Sequence, residues 1–201
     1  LALLPPEPAA PRGRLLATGL HGELAEFSMT QLGVDASHDC QGGPCWALAA
    51  CAASRRACVG CEDGGVAVFR VEPAPGPYGL VLLHRLPPQP QARVLSLSLG
   101  GAHLAAGAAD GSVRLWHLSR RVLQCHFVLE SDGGRKPPLV WAVQLPPGAD
   151  LAIVTGDSSG RTSCFDGRHG TLVQRFRARQ ADVLALGATR DGSQIFSSGV
   201  D

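Results

Sequence analysis

Lysine is nearly absent: Lys136 is the single one among 18 basic residues, so arginine carries almost all of the positive charge. Seventeen acidic residues bring the formal net charge to +1, which excludes a strong overall bias towards nucleic acid or a membrane surface. Arginine suits bidentate phosphate contacts and stacking. A bias in coding composition gives the same skew, and that plainer reading is preferred. No apolar run reaches the roughly 18 residues that a membrane-spanning helix needs. The chain opens at Leu1 with no basic region ahead of an apolar core, so no secretory signal is visible and the natural N-terminus is expected to be missing. Seven cysteines, an odd number at irregular spacing, do not read as a secreted disulfide framework, and they predict a reducing, intracellular setting. The seven histidines show neither i, i+4 spacing nor a neighbouring carboxylate cluster, so no metal site or cofactor is expected.

What is present is enough for a core. Of 201 residues, 45% are apolar, which excludes wholesale disorder. Twenty-five glycines and 15 prolines fit many short strands joined by turns.

One unit recurs four times: an apolar run, a tight turn closed by glycine, and a second run whose aromatic lies five residues after that glycine. The copies are Leu15–Met29, Ala57–Val71, Leu104–Leu118 and Ala152–Gly167. Their turn glycines are Gly22, Gly64, Gly111 and Gly160, and their aromatics are Phe27, Phe69, Trp116 and Phe165. A fifth copy starts at Ile195 and is cut off at Asp201. A period of about 40–50 residues with a turn and an aromatic marks the blades of a β-propeller. Further apolar runs complete each blade: Cys45–Cys51, Val94–Gly100, Val140–Pro146 and Val183–Thr189 before the units, and Val81–Leu86, Val122–Leu129 and Thr171–Arg177 after them. The first blade's leading run is Leu1–Leu4, and its last run, after Met29, is weaker.

The fold class expected is therefore all-β, a WD-repeat propeller of four blades and part of a fifth. Residues 1–42, 43–90, 91–134, 135–179 and 180–201 are the approximate blades of one segment, 1–201. WD rings commonly use about seven blades, so the chain reads as a segment of a larger protein. Asp63-Gly64 and Asp110-Gly111 suit tight hairpins, because glycine tolerates positive φ. Loops at Pro5–Arg14, Pro73–Gly79, Pro87–Arg93 and Ser131–Pro138 are rich in proline or glycine and read as exposed connections.

Three groups of residues invite a chemical reading. Gly156-Asp157-Ser158-Ser159-Gly160 matches G-x-S-x-G, but that nucleophile elbow needs a strand–turn–helix, and this copy sits in the register of strand–turn–strand hairpins. Cys58 and Cys61 form a C-x-x-C without a second pair, and residues three apart on a strand point to opposite faces, so both read as packing cysteines. Cys40, Cys45, Cys51, Cys125 and Cys164 read as single residues. Basic clusters occur at Arg120-Arg121, Arg135-Lys136 and Arg175-Arg177-Arg179. Loop display makes Arg120, Arg121, Arg135 and Lys136 candidate contacts for RNA or a partner, against a default of solvated surface. Asp63 and Asp110 read as structural turn residues, since the histidine that would complete a propeller network is missing. No catalytic residue is expected.

The stretches GLHGELAEF, GGPCWALAA and VGCEDGGVAVF, then RVLSLSLGGAHLAAGAADGSVRLW and VWAVQLPPGADLAIVTGDSSGRTSCFD, resemble the cirhin family of nucleolar WD-repeat proteins. Pro5–Arg14 and Pro73–Pro77 depart from that pattern. The resemblance implies a non-enzymatic scaffold of the small-subunit processome, in an early-joining subcomplex on the nascent pre-ribosomal RNA. It also implies support of small-subunit rRNA maturation and of transcription by RNA polymerase I. Two tandem propellers are the family's architecture, and this chain would be part of the first. The implied partners are other processome proteins and the pre-rRNA particle, with no membrane and no small-molecule substrate. Two alternatives are a generic WD adaptor, such as a ubiquitin-ligase substrate receptor, and a propeller hydrolase using the Ser158 region.

Overall fold

The structure is a computed structural model that describes residues 1–6, 13–29, 33–73, 79–88, 92–131, 136–148, 151–176 and 181–200. Strands are its regular elements. The first sheet comprises β1 (Ala2–Leu4), β2 (Arg14–Thr18), β3 (Glu23–Phe27) and β4 (Val34–Asp39), in chain order. The second comprises β5 (Cys45–Cys51), β6 (Arg56–Cys61), β7 (Val66–Val71) and β8 (Leu80–Leu86). β9 (Val94–Gly100), β10 (His103–Ala108), β11 (Ser112–His117) and β12 (Val122–Val128) make the third. A fourth holds β13 (Val140–Gln144), β14 (Ala152–Asp157), β15 (Thr162–Asp166) and β16 (Thr171–Phe176), and β17 (Val183–Ala188) pairs with β18 (Ile195–Gly199). Two compact units, Leu1–Val94 and Leu95–Asp201, divide these sheets.

Second strands are the most apolar, and packing explains why. β6, β10 and β14 each read as one partly buried residue followed by five buried ones. A strand covered on both faces must be apolar or small at every position. In the first unit Leu16 and Leu24 share a core with Ala57, Val59, Cys61, Ala67 and Phe69 of the next sheet. Burying a leucine fully contributes roughly 1.5–3 kcal/mol, so contacts of this kind dominate the stability. In the second unit Ala105, Val113 and Leu115 pack with Val143, Ile153 and Phe165, and the Phe127 and Phe165 rings sit 4.4 Å apart.

In the second unit a glycine in the second strand sets how closely one sheet approaches the next. A Cβ built on Gly156 would lie 2.5 Å from Val183 Cγ1. Gly107 meets Val140 in the same way. Each valine opens the first strand of the following sheet. Only hydrogen fits at the glycine, so the pair acts as a repeated lock-in-notch contact.

The four hairpins share one turn. Gly22, Gly64, Gly111 and Gly160 have φ of 81°, 84°, 80° and 75°. Each donates its N–H to the carbonyl three residues back, at Gly19, Cys61, Ala108 and Asp157. This is a three-residue loop with glycine in the left-handed position. The aromatics also share one setting. A β-bulge sits beside Phe27, Phe69, Trp116 and Phe165, each time placing an extra residue in the fourth strand.

Arg14 corrects an expectation. Placed by composition in an exposed loop, it instead opens β2 and is 5% exposed. Its guanidinium finds Glu26, which makes burial tolerable. Residues 7–12 and 74–78 of the Pro-rich connections lie outside the described residues.

Candidate interaction surface

Acidic residues at the turns hold backbone, not substrate. Asp63 Oδ1 accepts from the Gly65 N–H at 2.9 Å, and Asp110 Oδ1 accepts from the Ser112 N–H at 3.0 Å. Asp157 Oδ1 accepts from Ser159 N–H at 2.8 Å and Arg161 N–H at 3.1 Å, and burial raises its carboxyl pKa. Asp63 also pairs with Arg85 of β8 at 2.7 Å, so its partner is an arginine instead of the histidine of a propeller network. Phe69, Trp116 and Phe165 are buried, while Phe27 is half-buried.

Ser158 is spoken for. Its Oγ accepts the Leu139 N–H at 2.9 Å, while its own N–H donates to the Leu139 carbonyl at 3.0 Å. His169 instead meets Asp166 at 2.7 Å. A serine nucleophile needs a base on its hydroxyl, and none of the described histidines hydrogen-bonds Ser158. The turn is the same three-residue loop as its three counterparts, with no helix after it.

The basic candidates fall in different surroundings. Arg120 and Arg121 are exposed in the turn between β11 and β12, and Arg121 adopts φ of 55°. Arg120 lines an open pocket of 440 Å³ together with His103, His117, Val122 and Gln124. Register brings these groups together: His103 and His117 are directly paired across β10 and β11, their rings 5.0 Å apart and edge-on. Gln124 is the extra residue of the β12 bulge and hydrogen-bonds His103. Desolvation, then His117, lowers the His103 pKa. The wall thus carries two imidazoles, a guanidinium and an amide but no carboxylate. That donor set fits a phosphate oxygen. Sequence spacing alone missed the two histidines, because only strand register makes them neighbours. Lys136 is exposed, and Arg135 lies outside the described residues. Arg175 pairs with Glu130 at 3.2 Å; Arg177 and Arg179 also lie outside the described residues.

A second polar cluster lies in the first unit. Trp46, 42% exposed, donates its Nε1–H to Glu62 at 2.5 Å, and Arg93 stacks over the indole at 5.1 Å. Arg93 also pairs with Glu62 at 3.2 Å. Trp141, at the same place in the fourth sheet, donates to Asp182 at 2.7 Å. Amphipathic aromatics with a stacked arginine are the residue types enriched at protein interfaces.

The cysteines need one correction. Cys58 and Cys61 do point to opposite faces of β6, only Cys61 joining the core cluster with Ala57 and Val59. Cys40, Cys45 and Cys61, however, are not isolated: they meet in that cluster, with Cys45 and Cys61 sulfurs 4.0 Å apart. Among the described residues no group of three His, Cys, Asp or Glu side chains is arranged to hold a metal ion. Among the described residues no helix is long and apolar enough to cross a membrane.

Comparison with known proteins follows the same lines. The "WD domain, G-beta repeat" family matches residues 81–117. The crystal structure of the WD40 β-propeller domain of Doa1 superposes with a TM-score of 0.71 at 15% identity, covering 92% of this chain and 58% of that one. A designed protein, Ika8, superposes with a TM-score of 0.65 at 19% identity over 93% of this chain and 55% of that one. U3 small nucleolar RNA-associated protein 4 of Schizosaccharomyces pombe is 32% identical over 191 residues, 94% of this chain and 26% of that protein. The human homologue is 29% identical over 191 residues, covering 92% of this chain and 26% of that protein. The Saccharomyces cerevisiae protein is 32% identical over 174 residues, covering 82% of this chain and 21% of that protein. The chain thus spans about a quarter of the length of the curated relatives it matches. It is an all-β segment of a WD-repeat propeller, similar in sequence to U3 small nucleolar RNA-associated protein 4 from yeasts and human.

Proposed function

We propose that this chain is part of a non-enzymatic cirhin-family scaffold of the small-subunit processome, working in the nucleolus. The single observation that carries this reading is the similarity, across 94% of the chain, to a protein named for association with U3 small nucleolar RNA. Blades bury their faces and leave turns and edges for partners. Ser158, held on the Leu139 backbone and hydrogen-bonded by no described histidine, supports a binding role over hydrolysis. In this reading the protein joins an early subcomplex on the nascent pre-rRNA, supports maturation of small-subunit rRNA, and supports transcription by RNA polymerase I. The wall formed by His103, His117 and Arg120 contacts an RNA backbone phosphate, with Arg121, Arg135 and Lys136 as further candidate contacts. The test is affinity purification of the full-length tagged protein, read for pre-rRNA, U3 RNA and processome proteins. Their recovery is expected. A protein found outside nucleoli and purifying without them overturns the reading. Charge reversal of Arg120 and Arg121 then reports on the phosphate contact through RNA crosslinking.

A further inference from the structure

Three cysteines far apart in sequence share one buried site in the first unit. Cys45 opens β5 and Cys61 closes β6, and the two are Cα partners in the antiparallel ladder. They form a pair of the non-hydrogen-bonded kind. The Cys45 N–H donates to Gly19, the Cys61 N–H to Gly65, and the flanking Glu62 N–H to Pro44. Such pairs bring Cα atoms to about 4.5 Å, inside the range of roughly 4.4–6.8 Å that a disulfide bridges. The sulfurs already lie 4.0 Å apart.

The surroundings make the sulfurs unequal. Hydrogen bonding with Cys40 and then Cys61, helped by Thr18 and the Arg85 charge, drives the Cys45 thiol well below the ordinary thiol range. Cys40 and Cys61 are driven upwards, first by that same hydrogen bonding and then by burial. A thiolate is the reactive form of cysteine, and a neighbouring thiol can resolve its oxidised product. Cys40 and Cys45 bracket residues 41–44, of which Gln41 and Gly43 are exposed, so the connection beside Cys45 lies at the surface. Cys58, on the opposite face of β6, is excluded from the reaction by direction.

We propose that Cys45 and Cys61 are a peroxide-sensitive dithiol that closes to a cross-strand disulfide. The Cys45 thiolate attacks one oxygen of hydrogen peroxide, the O–O bond breaks, and hydroxide leaves, taking up the thiol proton as water. The Cys61 sulfur then attacks the Cys45 sulfur of the sulfenic acid. The S–S bond forms, the S–O bond breaks, and hydroxyl leaves with the Cys61 proton as a second water. Two thiols and one peroxide thus yield one disulfide and two waters. The product ties the first strand of the second sheet to its neighbour beside the exposed Trp46.

The test treats the reduced full chain with hydrogen peroxide, blocks remaining thiols, and maps peptides by mass spectrometry without reductant. The expected product is a Cys45–Cys61 linkage that dithiothreitol reverses. Cys61→Ser is expected to leave Cys45 as a sulfenic acid trapped by dimedone, and Cys58→Ser to leave the linkage unchanged. Retention of both thiols at a peroxide level that oxidises free thiols, or a linkage joining Cys40 to Cys45 instead, overturns the proposal. The unmodified chain decides this alone, so a variant that misfolds cannot obscure the answer.

Discussion

Arg14 and Glu26 form a two-pronged ion pair almost wholly removed from solvent, their side chains 5% and 1% exposed. The second prong, Nη2 to Oε2, is 2.8 Å long, and the same nitrogen donates to the Gly79 carbonyl at 3.0 Å. Nη1 donates to the Glu72 carbonyl. One guanidinium thus joins the first sheet to the connection between β7 and β8. Breaking one partner of such a pair leaves a buried charge, which costs about 3–5 kcal/mol. Arg14→Ala and Glu26→Ala are each expected to lower stability by that amount. Replacing both with apolar residues of similar volume is expected to cost much less. Urea unfolding of the three variants, compared as a double-mutant cycle, checks this.

Gly107 faces Val140 and the Ser96 hydroxyl, which would lie 2.6 Å from an added Cβ. Gly107→Ala is therefore expected to cost roughly 1–3 kcal/mol through overpacking. Adding Val140→Ala should recover part of that loss, whereas Val140→Ala alone should destabilise by opening a cavity. Absence of such coupling in thermal unfolding would show that the sheets are not held in this register.

Gly111 combines two constraints, φ of 80° and the Pro137 Cβ lying 2.5 Å from any added Cβ. Gly101 has φ of 56° but open space around it. Gly111→Ala is expected to destabilise by more than the roughly 1–3 kcal/mol of backbone strain alone. Gly101→Asn should be nearly neutral, because asparagine tolerates this conformation. Their midpoints in denaturant should differ accordingly.

His103 titrates below its ordinary value, chiefly from burial and then from the facing His117. Its folded pKa lies below its unfolded one, so the unfolded chain takes up the proton first. The neutral ring's contribution is complete above the unfolded pKa, about 6.5, and is lost as pH falls towards the folded value. Stability is expected to decline over that window, and His103→Asn should flatten the decline. Inorganic phosphate should oppose it by binding the protonated pocket. Thermal midpoints at pH 5 to 8, with and without phosphate, read the effect.

Ser158→Ala removes the acceptor of the Leu139 N–H. A loss of about 1 kcal/mol is expected, with no change in any ester hydrolysis by the preparation. An esterase activity abolished by this change would refute the scaffold reading.

The strand runs were readable because a blade repeats its needs. Val94–Gly100 and Cys45–Cys51 became β9 and β5 as their apolar runs imply. The turn glycines were readable because only one residue type holds a positive φ without strain. Arg14 was misread because a charge beside prolines looks exposed until its partner, twelve residues on, is known. His103 and His117 were unremarkable in sequence, being fourteen positions apart and opposed only by the hairpin.

By itself the sequence determined the repeat, the all-β class and the opposite orientations of Cys58 and Cys61, since spacing, turn chemistry and strand alternation are local properties. The solitary Lys136 and the arginine excess remained composition without a place. Tertiary structure alone decided which charges are buried and paired, which arginine shares a pocket with two imidazoles, and which three of seven cysteines meet. Those relations depend on strand register and on one sheet packing against the next, which link residues that no local pattern connects.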